Sequence, residues 1–280
     1  MSDRVTISID GGVADVRLNR PDKRNALDGA MFLAVAEAGD RLKTEPGVRC
    51  IVLSGEGASF CAGLDFGSFQ QMAGGDGDAA ADDGAASGQR SGSPAAMVEG
   101  RITHLGQQVA WVWQEVPVPV IAAVHGHALG GGIQIALGAD IRIVHPDAQL
   151  SVREVHWGLV PDMTGTLTLS RLVRPDVAKE LTFTGRMVTG REALTLGLAT
   201  RLSETPRDDA LELAREIAGR SPQAVRGVKA LFNRILSDDA AGQFAQERAV
   251  IGSLIASPNQ IEAVMANFEK RPPAFTDPTP

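Results

Sequence analysis

The sequence predicts an α/β core that carries a helical C-terminal region. In its first half, short apolar runs of strand character alternate with stretches of helical spacing, and after Arg174 only helical spacing remains. With 280 residues and 44% hydrophobic content, the chain holds enough apolar surface for one large domain, or a domain with an appendage. The expected division is a core over residues 1–200 and a helical region over 201–280.

Val5–Ile9 and Val13–Leu18 alternate apolar and polar residues around Asp10-Gly11-Gly12, the pattern of a β-hairpin. The segment NRPDKRNALD is polar and turn-rich. A helix is expected from about Gly29 to Lys43, with Met31, Phe32, Val35, Ala36 and Leu42 on one side. Val48–Leu53 reads as a nearly continuous apolar strand, and it leaves through the glycine-rich SGEGASFCAGLDF. From Gln70 to Ala96 the chain is almost wholly Gly, Ala, Asp and Ser, which bury too little surface to order a backbone. A mobile loop is expected at about 70–96, either a lid over a site or a tolerated insertion. Helical spacing resumes at about Met97 and ends at Glu115, before Pro117.

Val118–Val124 is the next strand; it enters Gly130-Gly131-Gly132 and leaves as a helix over Ile133–Leu137, a βα unit. Ile141–Val144 and Ala148–Val152 read as short strands around His145-Pro146-Asp147. A helix over Thr166–Leu172 follows Pro161-Asp162. Helices are then expected over Pro175–Phe183, Arg191–Leu196, Arg207–Gly219, Ala224–Ser237, Ala240–Ile255 and Pro258–Phe268.

Composition excludes some classes of function. A net charge of -7 argues against a general nucleic-acid surface but leaves room for a small anionic ligand held by backbone dipoles and a few cations. Cys50 and Cys61 form neither a disulfide framework nor a metal motif. No run approaches the ~20 apolar residues of a membrane span, and MSDRVTISID contains no signal-peptide core. A reduced, cytoplasmic setting is expected.

Both strand exits carry chemistry. The first N–H groups of a helix lack internal partners and lie at the positive end of its dipole. Glycine there lets a ligand atom reach an N–H without meeting a Cβ. Two such exits, at Cys61-Ala62-Gly63-Leu64 and at Gly130-Gly131-Gly132, can aim two donors at one oxygen and so form an oxyanion hole. The glycines alone are equally consistent with tight helix–strand packing. There is no Walker lysine, no complete dinucleotide fingerprint and no G-x-S-x-G elbow.

The segments FCAGLDF, PVIAAVHGHALGGG and ADIRI, with LNRPDKRNAL upstream and FEKRPPAF near the C-terminus, resemble the crotonase superfamily of enoyl-CoA hydratases and isomerases. The likeness spans nearly the whole chain apart from the loop at about 70–96. It implies a crotonase-like spiral of repeated ββα units, with a helical C-terminal region that assembles homotrimers or dimers of trimers. It also implies an acyl-CoA substrate of fatty-acid metabolism (β-oxidation), with coenzyme A present as part of the substrate and no permanently bound cofactor or metal. Carried over by motif, the oxyanion donors are the N–H groups of Leu64 and Gly131. The residues expected along the CoA moiety are Lys23, Arg24, Ala62, Leu64, Asp65, Phe66 and Gly131. Lys270 adds a charge, although Asn267 stands where the family has an aromatic residue.

Fold and CoA binding do not decide the reaction; the carboxyl groups do. The family's hydratases hold one water between two glutamates. At the matching positions this chain has Gln134, an amide that orients but does not act as a base, and Glu154. Asp162 lies eight positions after Glu154, where hydratases carry glycine. The family's dienoyl-CoA isomerases keep a glutamate and an aspartate at this spacing, the aspartate near C2 and the glutamate near C6. They also carry an acidic residue where Gln134 stands.

The resemblance therefore implies an enzyme that shifts double bonds in (di)enoyl-CoA through an enolate. Asp162 serves C2, Glu154 the far end, and Gln134 orients a carboxylate or a water. One rival is an enoyl-CoA hydratase in which Glu154 alone activates water; another is an acyl-CoA-binding subunit with little catalysis. Asp162 also reads as an N-cap for the helix after it, and Glu154 as a solvated strand-end carboxylate. His125 and His127 lack further metal ligands. His156, Trp157, Trp111 and Trp113 are expected to pack.

Overall fold

The computed structural model describes residues 3–65, 67, 93–237 and 240–275, with backbone alone for 235–237. Phe66, and the expected mobile loop except for its last residues from Ser93, lie outside the described residues.

The hairpin forms as its pattern predicts: β1 (Val5–Asp10) pairs antiparallel with β2 (Val13–Leu18). β2 then starts a run of parallel neighbours comprising β3 (Cys50–Gly55), β4 (Val120–Val124), β6 (Ile141–Val144) and β9 (Arg201–Leu202). A second sheet joins β5 (His127–Leu129) and β7 (Gln149–Ser151) in parallel, with β8 (Val188–Thr189) antiparallel at its edge. The chain alternates between the sheets. β4 enters the large one, β5 the small one, and α3 (Gly131–Leu137) follows. β6 and β7 repeat the step, and a 3-10 turn (Glu154–Trp157) and α4 (Gly165–Leu172) come next. This is the repeated ββα unit the sequence implied.

Both faces of the large sheet are covered, which is why β3 and β4 read as continuous apolar runs. Ile51 and Leu53 face a core shared with Val16, Leu18, Val120 and Ala122. Cys50 and Val52 face the other side, with Ile121, Ala123 and Ile143, against Ala210, Ala214 and Ala218 of α7 (Pro206–Ala218). Alanine at every fourth position lets that helix approach the sheet closely.

On the first face, Asp28 caps α1 (Gly29–Thr44) by accepting the Met31 N–H at 2.8 Å. Phe32, Val35 and Leu42 are among the side chains the helix buries. It packs beside α2 (Leu105–Glu115). That helix starts later than the expected Met97. Residues 97–104 are closed instead by a Met97–His104 bridge, with Gly100 at φ +70°. The His104 side chain then takes the Gln107 N–H, and α2 begins from this cap.

α5 (Pro175–Thr184) and α6 (Gly190–Leu196) flank β8 in sequence; after α7 come α8 (Pro222–Ser237), α9 (Ala240–Leu254) and α10 (Pro258–Glu269). Lys229 anchors α8: its buried Nζ donates to the carbonyls of Trp113 and Val118 and to Asp140 Oδ2, at 2.8–2.9 Å. Phe244 of α9 meets Trp111 edge-on at 4.9 Å, and α10 packs on the 3-10 turn. Trp111 and Trp113 are core side chains, as expected. Among the described residues, no helix is long and apolar enough to cross a membrane.

Candidate active site

The two glycine-rich exits run side by side. The Cys61 N–H donates to the His127 carbonyl at 2.9 Å, and the Leu129 N–H donates to the Cys61 carbonyl at 3.1 Å. Gly63, at φ +88°, lies so close that a Cβ there would stand 2.5 Å from the Leu129 carbonyl oxygen. Gly130 precedes α3 at φ 52°, ψ −118°, a conformation open to glycine. The Leu27–Leu64 bridge uses the N–H groups of Leu27 and Asp65, which leaves the Leu64 N–H out of the ladder. Gly131 is the first residue of α3, so its N–H has no partner within the helix.

Gln134 lies on the first turn of α3 and is fully buried. Its Oε1 accepts the N–H groups of Met163 and Gly165, both at 2.9 Å, which fixes the orientation of the amide. Nε2 must then face the other way, where it donates to Glu154 Oε1 at 2.6 Å. Glu154 opens the 3-10 turn, is only 8% exposed, and its Oε2 has no hydrogen-bond partner among the described residues. Burial pushes its carboxyl up to about 7, against the opposing pull of its backbone N–H and of Gln134. The space a Gly130 Cβ would take lies 3.4 Å from Glu154 Oε1. A Gly131 Cβ would stand 2.8 Å from Met163 Sδ, next to Asp162. Glu154 and the Asp162 loop thus flank the N-terminus of α3. The solvated reading of Glu154 does not hold.

Asp162 is not the helix cap. Thr164 takes that position in a left-handed conformation, with no side-chain capping bond. The Asp162 carboxyl keeps 25% of its side-chain surface accessible, with Oδ2 3.7 Å from His104 Nε2. Burial first, then repulsion from Glu154 and Glu247, pushes it up to about 7. Two carboxyls that repel each other and titrate near neutrality can each give or take a proton there.

Glu247 of α9 was not legible in the sequence. It is buried, and burial raises its carboxyl pKa. Its Oε2 accepts from Gln107 Nε2 and the Thr164 N–H at 3.1 Å, and its Oε1 from the Thr166 hydroxyl at 2.5 Å. It therefore pins the loop that carries Asp162. Within QERAV it looks like any helical glutamate, because its partners are distant in sequence. His104 was also missed; a histidine before a helical pattern carries no site signal of its own.

The residues expected along the CoA moiety are brought together in part. Lys23 and Arg24 are exposed on the Pro21–Lys23 turn and its cap, and the Ala62 N–H donates to the Arg24 carbonyl at 2.9 Å. Asp65 is engaged by Arg20 at 2.7 Å. Burial pushes its carboxyl up, but the Gly67 N–H and Arg20 outweigh that and hold it below its ordinary value. Lys270 is exposed at the C-cap of α10. Asn267 of the same helix donates to the His156 carbonyl at 2.8 Å, and Trp157 packs against Phe268 at 6.4 Å. His125 Nε2 pairs with the Gly57 carbonyl at 2.9 Å, and His127 Nδ1 with Ser59 Oγ at 3.0 Å. Among the described residues, no group of three His, Cys, Asp or Glu side chains is placed to hold a metal ion.

Comparison with known proteins bears on this arrangement. The family model described as enoyl-CoA hydratase/isomerase matches residues 8–278. A probable enoyl-CoA hydratase of Bacillus subtilis is 31% identical, over 97% of this chain and 98% of its own. The short-chain-enoyl-CoA hydratase of Clostridium acetobutylicum is 32% identical over 95% of each. The crystal structure of an enoyl-CoA hydratase/isomerase from Pseudoalteromonas atlantica superposes with a TM-score of 0.82 at 27% identity, over 98% of this chain and 100% of that one. The chain is an acyl-CoA enzyme of the enoyl-CoA hydratase/isomerase family, within the crotonase superfamily.

Proposed function

We propose that the enzyme is an isomerase of the dienoyl-CoA type, which converts a 3,5-dienoyl-CoA into its 2,4-isomer. The observation that carries this reading is the pair Glu154 and Asp162. Each is held near neutrality, Asp162 is raised further by the charge of Glu154, and a neutral amide at Gln134 stands where a second glutamate would be needed to hold a water. The Asp162 carboxylate takes a proton from C2. The electron pair spreads along the conjugated chain to the thioester oxygen, where the N–H groups of Leu64 and Gly131 receive the charge; losing one such donor costs about 3 kcal/mol of barrier. Glu154, protonated, returns a proton at C6, and the double bonds settle at C2 and C4. A proton passing from Asp162 to Glu154 through solvent resets the pair. Lys23 and Arg24 hold the anionic end of coenzyme A, which enters and leaves as part of the substrate. The helical C-terminal region assembles the chain into trimers or hexamers.

Hydration is the second reading. The relatives compared above carry hydratase names, and Glu154 Oε2 lacks a partner among the described residues and so is open to a water. The two readings separate when purified protein is given 3,5-octadienoyl-CoA and, in parallel, 2-butenoyl-CoA. Isomerisation gives a conjugated 2,4-diene, seen by its ultraviolet absorbance, with no hydration of the second substrate. Hydration abolished by Glu154→Gln and untouched by Asp162→Asn sinks the isomerase reading. Tight acyl-CoA binding with no turnover of either substrate indicates a binding subunit.

A further inference from the structure

His104 makes an unusual helix cap. Serine, threonine, aspartate or asparagine satisfies a free N–H at a helix start with less bulk. A histidine does the same with one ring nitrogen and leaves a second to point elsewhere. Here Nδ1 accepts the Gln107 N–H at 2.9 Å, so the neutral ring carries its proton on Nε2. That nitrogen faces Asp162 Oδ2 at 3.7 Å, and a shift of roughly 0.7 Å by the carboxylate closes an ordinary hydrogen bond.

The ring is held from several sides. It is buried at 4% exposure and packs over Gly106. Gln107 completes the capping box by accepting the His104 backbone N–H at 3.3 Å. The same Gln107 donates to Glu247 at 3.1 Å and accepts from Arg248 at 3.0 Å, which ties the cap to α9.

We propose that His104 is a positioning residue for Asp162, its helix-capped ring presenting Nε2–H to the carboxylate and favouring the ionised form that takes the C2 proton. This rests on the isomerase reading above. The groups facing Asp162 are Glu154 from the 3-10 turn, Glu247 from α9 and His104 from the α2 cap; Arg248 of α9 faces His104 in turn. Glu154 and Glu247 both oppose ionisation of Asp162, its own backbone N–H supports it, and the His104 Nε2–H is the side-chain donor placed to add to that support. Burial holds the imidazole down at about 4, so the ring stays neutral through the working range and acts as a fixed donor.

His104→Asn tests this, because asparagine caps a helix well but is too short to reach Asp162. Three readouts are taken on the full-length protein: the urea midpoint, the pH profile of 3,5-octadienoyl-CoA isomerisation, and the carboxyl titration of Asp162 by carbon-13 NMR, assigned with Asp162→Asn. The expected result is an unchanged midpoint and KM, a kcat about fivefold lower at pH 7, and an acid limb and Asp162 titration both moved up by about one pH unit. An Asp162 titration and acid limb that stay where they are in His104→Asn overturn the proposal, and leave His104 as a cap only. If the parent protein does not isomerise 3,5-octadienoyl-CoA, the isomerase reading fails instead, and if Asp162→Asn isomerises at the parent rate, Asp162 is not the C2 base. The NMR titration still decides whether His104 supports the carboxylate.

Discussion

Glu154→Gln separates what this carboxyl does for the reaction from what it costs the fold. In the folded protein it titrates at about 7 rather than 4.5, with burial as the leading cause. A carboxyl whose folded pKa lies above its unfolded value destabilises the fold once it ionises. The cost is absent below the unfolded pKa, grows as pH rises from 4.5 to about 7, and is complete above that. The difference between 4.5 and about 7 amounts to about 3 kcal/mol. Glutamine has the same shape, and its carbonyl accepts the bond from Gln134 that Oε1 now accepts at 2.6 Å. The substitution therefore removes the charge and keeps the packing. Asp162 also loses a like-charged neighbour, which lowers its own pKa.

The variant should be more stable than the parent by about 3 kcal/mol at pH 8.5, and by less than about 1 kcal/mol at pH 5. Urea denaturation followed by tryptophan fluorescence, at one protein concentration and both pH values, reads this directly. Isomerisation of 3,5-octadienoyl-CoA should fall by ~10² or more in the same protein, since no acid remains to serve C6. A stability gap that is the same at both pH values, or a variant less stable at pH 8.5, refutes the placement of Glu154 as a carboxyl buried against its charge.

Asp162→Asn should lower dienoyl isomerisation by ~10²–10⁴, measured as initial rates of diene absorbance, with acyl-CoA binding retained. Gly63→Ala forces a Cβ to 2.5 Å from the Leu129 carbonyl oxygen at a φ of +88°. It should cost on the order of 1–3 kcal/mol in urea denaturation and slow turnover as the two exits are driven apart. Replacing Lys23 and Arg24 together by alanine should raise KM for acyl-CoA several-fold at constant kcat, an effect that shrinks with added salt. Lys229→Met leaves Asp140 without the cation now 2.8 Å away and should cost about 3 kcal/mol or more of stability.

What could be read from the sequence depended on how local its cause was. The hairpin, α1 and the later helices were legible because each is set by apolar spacing and turn residues within its own segment. β5, β8 and β9 were not: two or three residues show no period, and these strands exist only because a neighbouring strand supplies their partners. The start of α2 was misplaced because the pattern continues through 97–104, where Gly100 and the His104 cap override it. The site divides in the same way. Gln134, Glu154 and Asp162 stood out through motif spacing, whereas His104 and Glu247 reach the site across long stretches of chain and leave no local trace.

Position 134 shows why an amide suits this arrangement. The slot offers two backbone N–H donors to one oxygen, at 2.9 Å each, an environment that would suit a carboxylate. Yet the other end of the side chain lies 2.6 Å from Glu154 Oε1, and Glu154, Asp162 and Glu247 already stand close enough for Asp162 to feel both glutamates. A fourth carboxyl would have to share a proton with Glu154 or push it further from neutrality. Unit charges about 4 Å apart repel by about 4 kcal/mol at an effective dielectric of 20. Gln134→Glu should therefore bind Glu154 and residue 134 into one coupled pair that holds a proton between them, and Glu154 would no longer titrate independently near 7. A pH profile for isomerisation that survives this substitution unchanged would mean that Glu154 does not deliver the distal proton, and the reaction would have to be assigned to Asp162 alone.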